Sequence, residues 1–209
     1  PGFLILVVAI PLAVINFVPD LLIDYVAEFT ALALALIFFG MQAIPLDRRI
    51  AAWLKLDPAR FASLPVPIIR IGLGLTLAVL ALHNKLLAPN MALSFLDEHY
   101  LNFMEFLGFA GFTNIRFVFA AGVTELAVGI LLISGIATRA VALIAFLLMD
   151  TTMAILGPDE LMGHLPVMGI ELLLIYRGSG GFAWRPKPFV RKSLLINQTI
   201  AIKQAPDIA

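Results

Sequence analysis

The chain contains no cysteine, which excludes disulfides, thiol redox chemistry and thiolate metal sites. It is also poor in charge. Only 13% of its residues are Asp, Glu, Lys or Arg, against about 25% in a soluble domain. Acids and bases cancel to a formal net charge of zero, so the balance does not point to nucleic acid as a partner. No P-loop, nucleophile elbow, zinc-protease helix or Rossmann fingerprint occurs. No internal repeat stands out. The three histidines, His83, His99 and His164, show no ligand spacing for a metal.

Apolar residues dominate instead. They make up 61% of the chain, and mean hydropathy is +1.01. Ile115–Leu148 carries only Arg116, Glu125 and Arg139 as formal charges. Such runs read as bilayer spans, because about 20 helical residues cross the hydrocarbon core. The expected fold is an all-α, polytopic transmembrane helix bundle of about six spans.

The expected spans are Gly2–Val18 (with a kink at Pro11), Leu21–Pro45, Ile68–Leu87, Ile115–Ile136, Ala140–Leu156 and His164–Tyr176. Between the second and third lies Asp47–Pro67, holding Arg48, Arg49, Lys55 and Arg60 around Trp53. That composition suits a helix lying at a membrane interface. Asn90–Asn114 is half-apolar and is expected to form short helices. Its Phe95, Phe103, Phe106, Phe109 and Phe112 read as a packed lid or, if exposed, as a docking surface for a partner subunit. The resulting division is an N-terminal transmembrane hairpin (1–46), a basic cytoplasmic interfacial segment (47–67), a four-helix bundle (68–181) and a cytoplasmic tail (182–209). The chain opens at Pro1 within an apolar run and without a basic leader, so further residues are expected upstream.

Lysine and arginine fall in alternate connections. Asp47–Pro67, the Arg139 link and the tail are basic, whereas Asn90–Asn114 and Gly157–Gly163 hold neither residue. The positive-inside rule then places both termini in the cytoplasm.

Several short motifs succeed one another from Arg70 onward. They are Arg70-Ile-Gly-Leu-Gly-Leu, His83-Asn-Lys85-Leu-Leu, Thr124-Glu125-Leu126-Ala-Val-Gly129, Gly135-Ile-Ala-Thr-Arg139, His164-Leu-Pro with Glu171-Leu-Leu-Leu, and Arg177-Gly-Ser-Gly-Gly181. Their order and spacing resemble the DoxX-like family of small membrane proteins over roughly Ile68–Gly181. The lysine comes sooner after His83 than in the commoner form, an extra pair of spans precedes the segment, and the tail is longer. The resemblance implies a four-helix membrane core in a bacterial or archaeal cytoplasmic (inner) membrane. It also implies a role as an auxiliary or quinone-associated subunit of a respiratory or redox complex. A small-molecule or lipid transporter and a structural assembly subunit without chemistry of its own remain open, as does whether the chain is an enzyme. Membrane lipids, other membrane subunits and a quinone are the candidate partners.

Charges within the spans mark the candidate site. Gly122, Glu125, Gly129 and Leu132 share a helix face, and the glycines allow a second backbone to approach, so Glu125 is expected to point into the bundle. Asp150 lies at a similar depth on the next span, and Glu171 lies nearer the inner surface. His83, Glu125, Asp150 and Glu171 are therefore the candidate quinone-binding or proton-relay residues. Histidine and a carboxylate can each gain or lose a proton beside a carbonyl or hydroxyl. The competing reading is interhelical polar glue.

His83 and Lys85 lie about 200° apart on an α-helix and cannot face one pocket without local unwinding. His83 is expected inward, with Lys85 reaching to the outer interface. Arg70 and Arg139 are expected to anchor topology and touch lipid headgroups, or one of them to pair with Glu171. Asp24 and Glu28 are expected at a solvated helix end, with a cation or partner contact as the alternative.

Overall fold

A computed structural model describes residues 19–183 and the isolated positions 7, 8, 11 and 15. The expected span Gly2–Val18 and the tail after residue 183 lie outside the described residues, as do the side chains of Asp24 and Asp150. Within the described residues every regular element is a helix. These are α1 (Pro19–Ala43), α2 (Pro45–Trp53), α3 (Pro65–Ala81), continued by a π turn at Leu82–Leu87, then α4 (Asn90–His99), α5 (Phe103–Phe106), α6 (Asn114–Ser134), α7 (Thr138–Leu156) and α8 (Pro158–Arg177).

The sequence punctuates these helices. Helices α1, α2, α3 and α8 each open on proline, whose fixed φ and missing N–H suit the first helical position. Helix α6 stops at Gly135, where φ is +77° and the amide donates back to Leu131 O and Leu132 O at 3.0 and 3.1 Å. This left-handed cap costs glycine little. The chain then turns through Ala137 directly into α7.

Among the described residues three helices are long and apolar enough to cross a membrane: Val26–Ala43, Pro65–Leu87 and Asn114–Ser134, with Thr138–Leu148 a shorter apolar stretch. They are consistent with an integral membrane protein. The basic connection carries the expected short helix, α2, ending at exposed Trp53.

Helix α3 is the hub. It packs along α1 on one side and α6 on the other, and α8, which pairs mainly with α7, also reaches it. The core formed there joins Ala35, Ile69, Leu73, Leu132, Val141, Val167, Ile170 and Leu174. Small residues permit the two close approaches. A Cβ on Gly72 would run into Ala31 and would lie 3.1 Å from Ala27 O, on α1. On the opposite face, a Cβ on Gly74 would sit 2.7 Å from Gly129 O, and one on Gly129 would sit 2.7 Å from Gly74 O. Each glycine is thus the socket for the other's backbone. In lipid this is how helices gain dispersion energy, since burial from water contributes little to their association.

Helix α2 folds back beneath α1. Ile37, Met41 and Ala51 form a second core with Phe38 and Phe61 packed on it, and those two rings stack at 5.2 Å. The carboxylate of Asp47 lies in the space that a side chain at Gly40 would occupy.

Gly129→Val should lower the stability of the detergent-solubilised protein by about 1–3 kcal/mol, the usual cost of overpacking. Gly169→Ala serves as control: its new Cβ meets nothing within 4 Å, and alanine is the better helix former by roughly 0.5–1 kcal/mol. A thermal unfolding midpoint that falls for the first variant and holds or rises for the second is the expected pattern. Equal midpoints would contradict the crossing.

Candidate functional site

An ion pair joins the central helices, α3 and α6. Lys85 Nζ donates to Glu125 Oε1. Lys85 comes from the π turn that continues α3, and Glu125 from the middle of α6. Their side chains keep 26% and 33% of their accessible surface, respectively, so the pair is neither sealed in the core nor free in solvent. Gly122, one turn from Glu125, makes room for it: a Cβ there would lie 2.9 Å from both Lys85 Cβ and Leu86 Cδ2.

The π turn changes the expected orientation of Lys85. Continuing α3 as an ideal helix sends that side chain to the outer interface. A π turn closes its hydrogen bonds one residue later than an α-helix does. Here Ala88 N donates to His83 O at 3.2 Å. The wider turn shifts the helical phase within Leu82–Leu87, and Lys85 faces α6 rather than the surface. The local unwinding that the His83/Lys85 spacing calls for is therefore present, and lysine is the residue it delivers to Glu125. His83 and Asn84 are half-buried on the same turn and are themselves engaged.

The remaining candidates are distributed over the bundle. Glu171 is 1% exposed in α8 and engaged. It stands six residues before Arg177, roughly 9 Å along the helix from its end, whereas Glu125 faces the π turn near the other end of α3. Asp150 belongs to α7, with its side chain outside the described residues. Among the described residues no group of three or more His, Asp or Glu is placed to hold a metal.

Arg70 departs most from expectation. It is 1% exposed, so it does not reach lipid headgroups as a surface anchor would. Its guanidinium donates to Leu132 O at 2.6 Å, to Ile133 O at 3.1 Å and to Phe182 O. Leu132 and Ile133 lie in the last turn of α6, where carbonyls are short of intrahelical donors and the helix dipole is negative. Arg70 therefore ties α3 to the end of α6 and to the chain leaving α8. Its partners are backbone oxygens rather than the carboxylate of Glu171. Arg139 is exposed and donates to Tyr176 O at 3.3 Å.

Glu28 differs from expectation as well. It is 3% exposed, because α3 packs along α1. A glutamate near a helix start gives no sign in sequence that another helix will cover it.

The aromatic loop takes its exposed form. Phe103 and Phe109 are each 56% exposed, Phe106 is 91% exposed, and Tyr100 is 90% exposed. Asn102 holds the base of the loop, donating to Phe112 O at 2.8 Å and Asn114 Oδ1 at 2.9 Å. Asn114 in turn donates to Asp97.

Comparison with protein-family models, curated proteins and solved structures returns no match.

A double-mutant cycle on Lys85 and Glu125 tests the pair. Lys85→Met and Glu125→Gln should each lower stability on the order of 1–3 kcal/mol, since each leaves a half-buried partner unsatisfied. The double variant should lose less than the sum, with a coupling of about 0.5–3 kcal/mol. Strictly additive losses in thermal unfolding would mean that the two side chains do not interact.

Proposed function

We propose that the chain is a DoxX-like integral membrane protein acting as an auxiliary, quinone-associated subunit of a respiratory or redox membrane complex. In this reading it crosses the cytoplasmic membrane about six times with both termini in the cytoplasm. The DoxX-like core is the four-helix unit over residues 68–181.

The observation that supports the proposal best is the half-exposed Lys85–Glu125 pair between two membrane-crossing helices. A charged pair in lipid is costly and tends to mark a ligand or proton pathway. This one has the chemistry that a quinone head needs. The ammonium can donate to a carbonyl oxygen, and the carboxylate can accept from a hydroxyl or take up its proton. Because the pair keeps part of its surface, a ring can approach without dismantling the bundle. His83 on the same turn supplies a second titratable group, and Asp150 and Glu171 are further candidates to relay protons.

The exposed aromatic loop favours a second reading, that of a structural assembly subunit. Phe103, Phe106, Phe109 and Tyr100 form the kind of apolar surface that a neighbouring subunit would cover. The two roles are compatible, because a subunit that positions a quinone must also dock.

The test is to purify the full chain in mild detergent, extract its lipids and measure bound quinone by mass spectrometry. Wild type should retain quinone, and Lys85→Met and Glu125→Gln should lower occupancy about tenfold, the effect of losing one charge-assisted hydrogen bond. Loss of quinone with co-purifying subunits unchanged would support the first reading. Undetectable quinone in wild type, or equal occupancy in the variants, would overturn it and leave the assembly role.

A further inference from the structure

A shallow, open depression lies where α6 turns into α7 and α8 ends. Its volume is about 470 Å³, which is room for a phosphate group. The lining residues that matter are Gly135, Thr138, Arg139, Arg177, Gly178 and Ser179, and none of the described lining residues is acidic.

Four features of this depression favour an anion. First, Arg139 and Arg177 both line it, and a guanidinium fork matches phosphate oxygens in a way that ammonium does not. Second, α7 begins here at Thr138, and the first N–H groups of a helix have no intrahelical acceptor, so they suit a phosphate. Third, Thr138 is 3% exposed and its hydroxyl has no hydrogen-bond partner among the described residues. A buried hydroxyl is costly to leave unpaired, and a small shift in the first turn of α7 would bring it onto a bound oxyanion. Fourth, buried Arg70 lies directly beneath: its Cζ would be 2.9 Å from a Cβ built on Gly135. That places a third positive charge under the floor.

The C-terminal carbonyls of α8 act against an anion. Arg139 already covers one of them, Tyr176 O, and Gly178 N closes on Leu174 O at 2.8 Å. Gly178 and Gly180, both with φ above +70°, bend the chain away and keep this edge clear. A Cβ on Gly178 would approach Arg139 Nε to 3.3 Å, so a side chain there would push against the arginine.

We propose that this depression binds a phosphate group, carried by an anionic lipid headgroup or by a free phosphate or phosphorylated solute. It is separate from the Lys85–Glu125 pair and does not depend on the quinone reading. Arg139 and Arg177 grip the oxygens, the start of α7 donates N–H groups, and Thr138 adds its hydroxyl.

The experiment uses the purified full chain in a neutral detergent with two probes. One arm titrates inorganic phosphate. The other adds phosphatidylglycerol to the micelles, with phosphatidylcholine as reference. Both read the shift in thermal unfolding midpoint, and native mass spectrometry counts retained lipid. A shift with phosphatidylglycerol alone identifies a headgroup site, and a shift with inorganic phosphate identifies a site for a free anion. In either case Arg139→Gln and Arg177→Gln should weaken apparent affinity about tenfold. Arg139→Lys should recover only part of it, because charge is kept and the fork is lost. Thr138→Val, close in volume, should weaken binding severalfold while raising the unliganded midpoint, because it removes a buried hydroxyl that has no partner there. Arg60→Gln, on a separate exposed turn, should respond as wild type. No shift with either probe would overturn the proposal, as would equal shifts in wild type and both glutamine variants.

Discussion

Helices α3 and α6 come together because neither presents a side chain where they cross, and the polar geometry depends on that closeness. With Gly74 and Gly129 each lodged against the other's carbonyl, the backbones run near enough for contacts at both ends of the seam. Towards one end the Arg70 guanidinium reaches Leu132 O and Ile133 O. Towards the other, Lys85 reaches Glu125. A larger residue at the crossing would open both ends together, since a rigid helix pushed away at its middle cannot keep short hydrogen bonds beyond it. The glycines therefore contribute through the contacts they allow as well as through their own dispersion energy.

The two ends handle charge differently. Arg70 is a cation buried in protein whose hydrogen-bond partners among the described residues are backbone carbonyls; those at the negative end of a helix stabilise it. Leu132 O otherwise has only the shared Gly135 amide, and Ile133 O lies in the last turn of α6, so one side chain serves both carbonyls. The arrangement also closes a long loop in sequence, because Phe182 O binds the same guanidinium that caps α6. Lys85 and Glu125, by contrast, neutralise each other side chain to side chain and keep partial exposure.

Which parts of this arrangement are legible in the sequence depends on which interactions are local. The face formed by Gly122, Glu125 and Gly129 can be read directly, because residues three and four apart on a helix share a side, and the structure turns that face towards α3. Helix boundaries near prolines are legible for similar reasons. The direction of Lys85 is not, because it depends on the hydrogen-bond register of one turn, and no residue type in Leu82–Leu87 announces a π turn. The burial of Arg70 is equally hidden. An arginine at the start of an apolar run is the usual sign of a cytoplasmic boundary, while the carbonyls that bind this one lie 62 and 63 residues further along the chain. Glu28 escapes a sequence reading because its burial is imposed by another helix. The depression between α7 and the end of α8 draws two remote segments, 135–140 and 177–179, into one place, and only its arginines stand out in the sequence.

The contrast between the two ends bears on where chemistry can reside. A residue whose donors are committed to backbone carbonyls holds structure: changing its partners means breaking a helix cap, and a passing ligand has nothing equivalent to offer. Arg70 fits that description. A lysine–glutamate pair is different, because a ligand with both a carbonyl and a hydroxyl can substitute for each member in turn, and the charges then remain compensated throughout. Partial exposure gives access, and the glycine crossing nearby keeps the two backbones fixed while the side chains exchange partners. The same seam thus supplies a rigid end and an adaptable end, and the proposed function rests on the adaptable one, Lys85–Glu125.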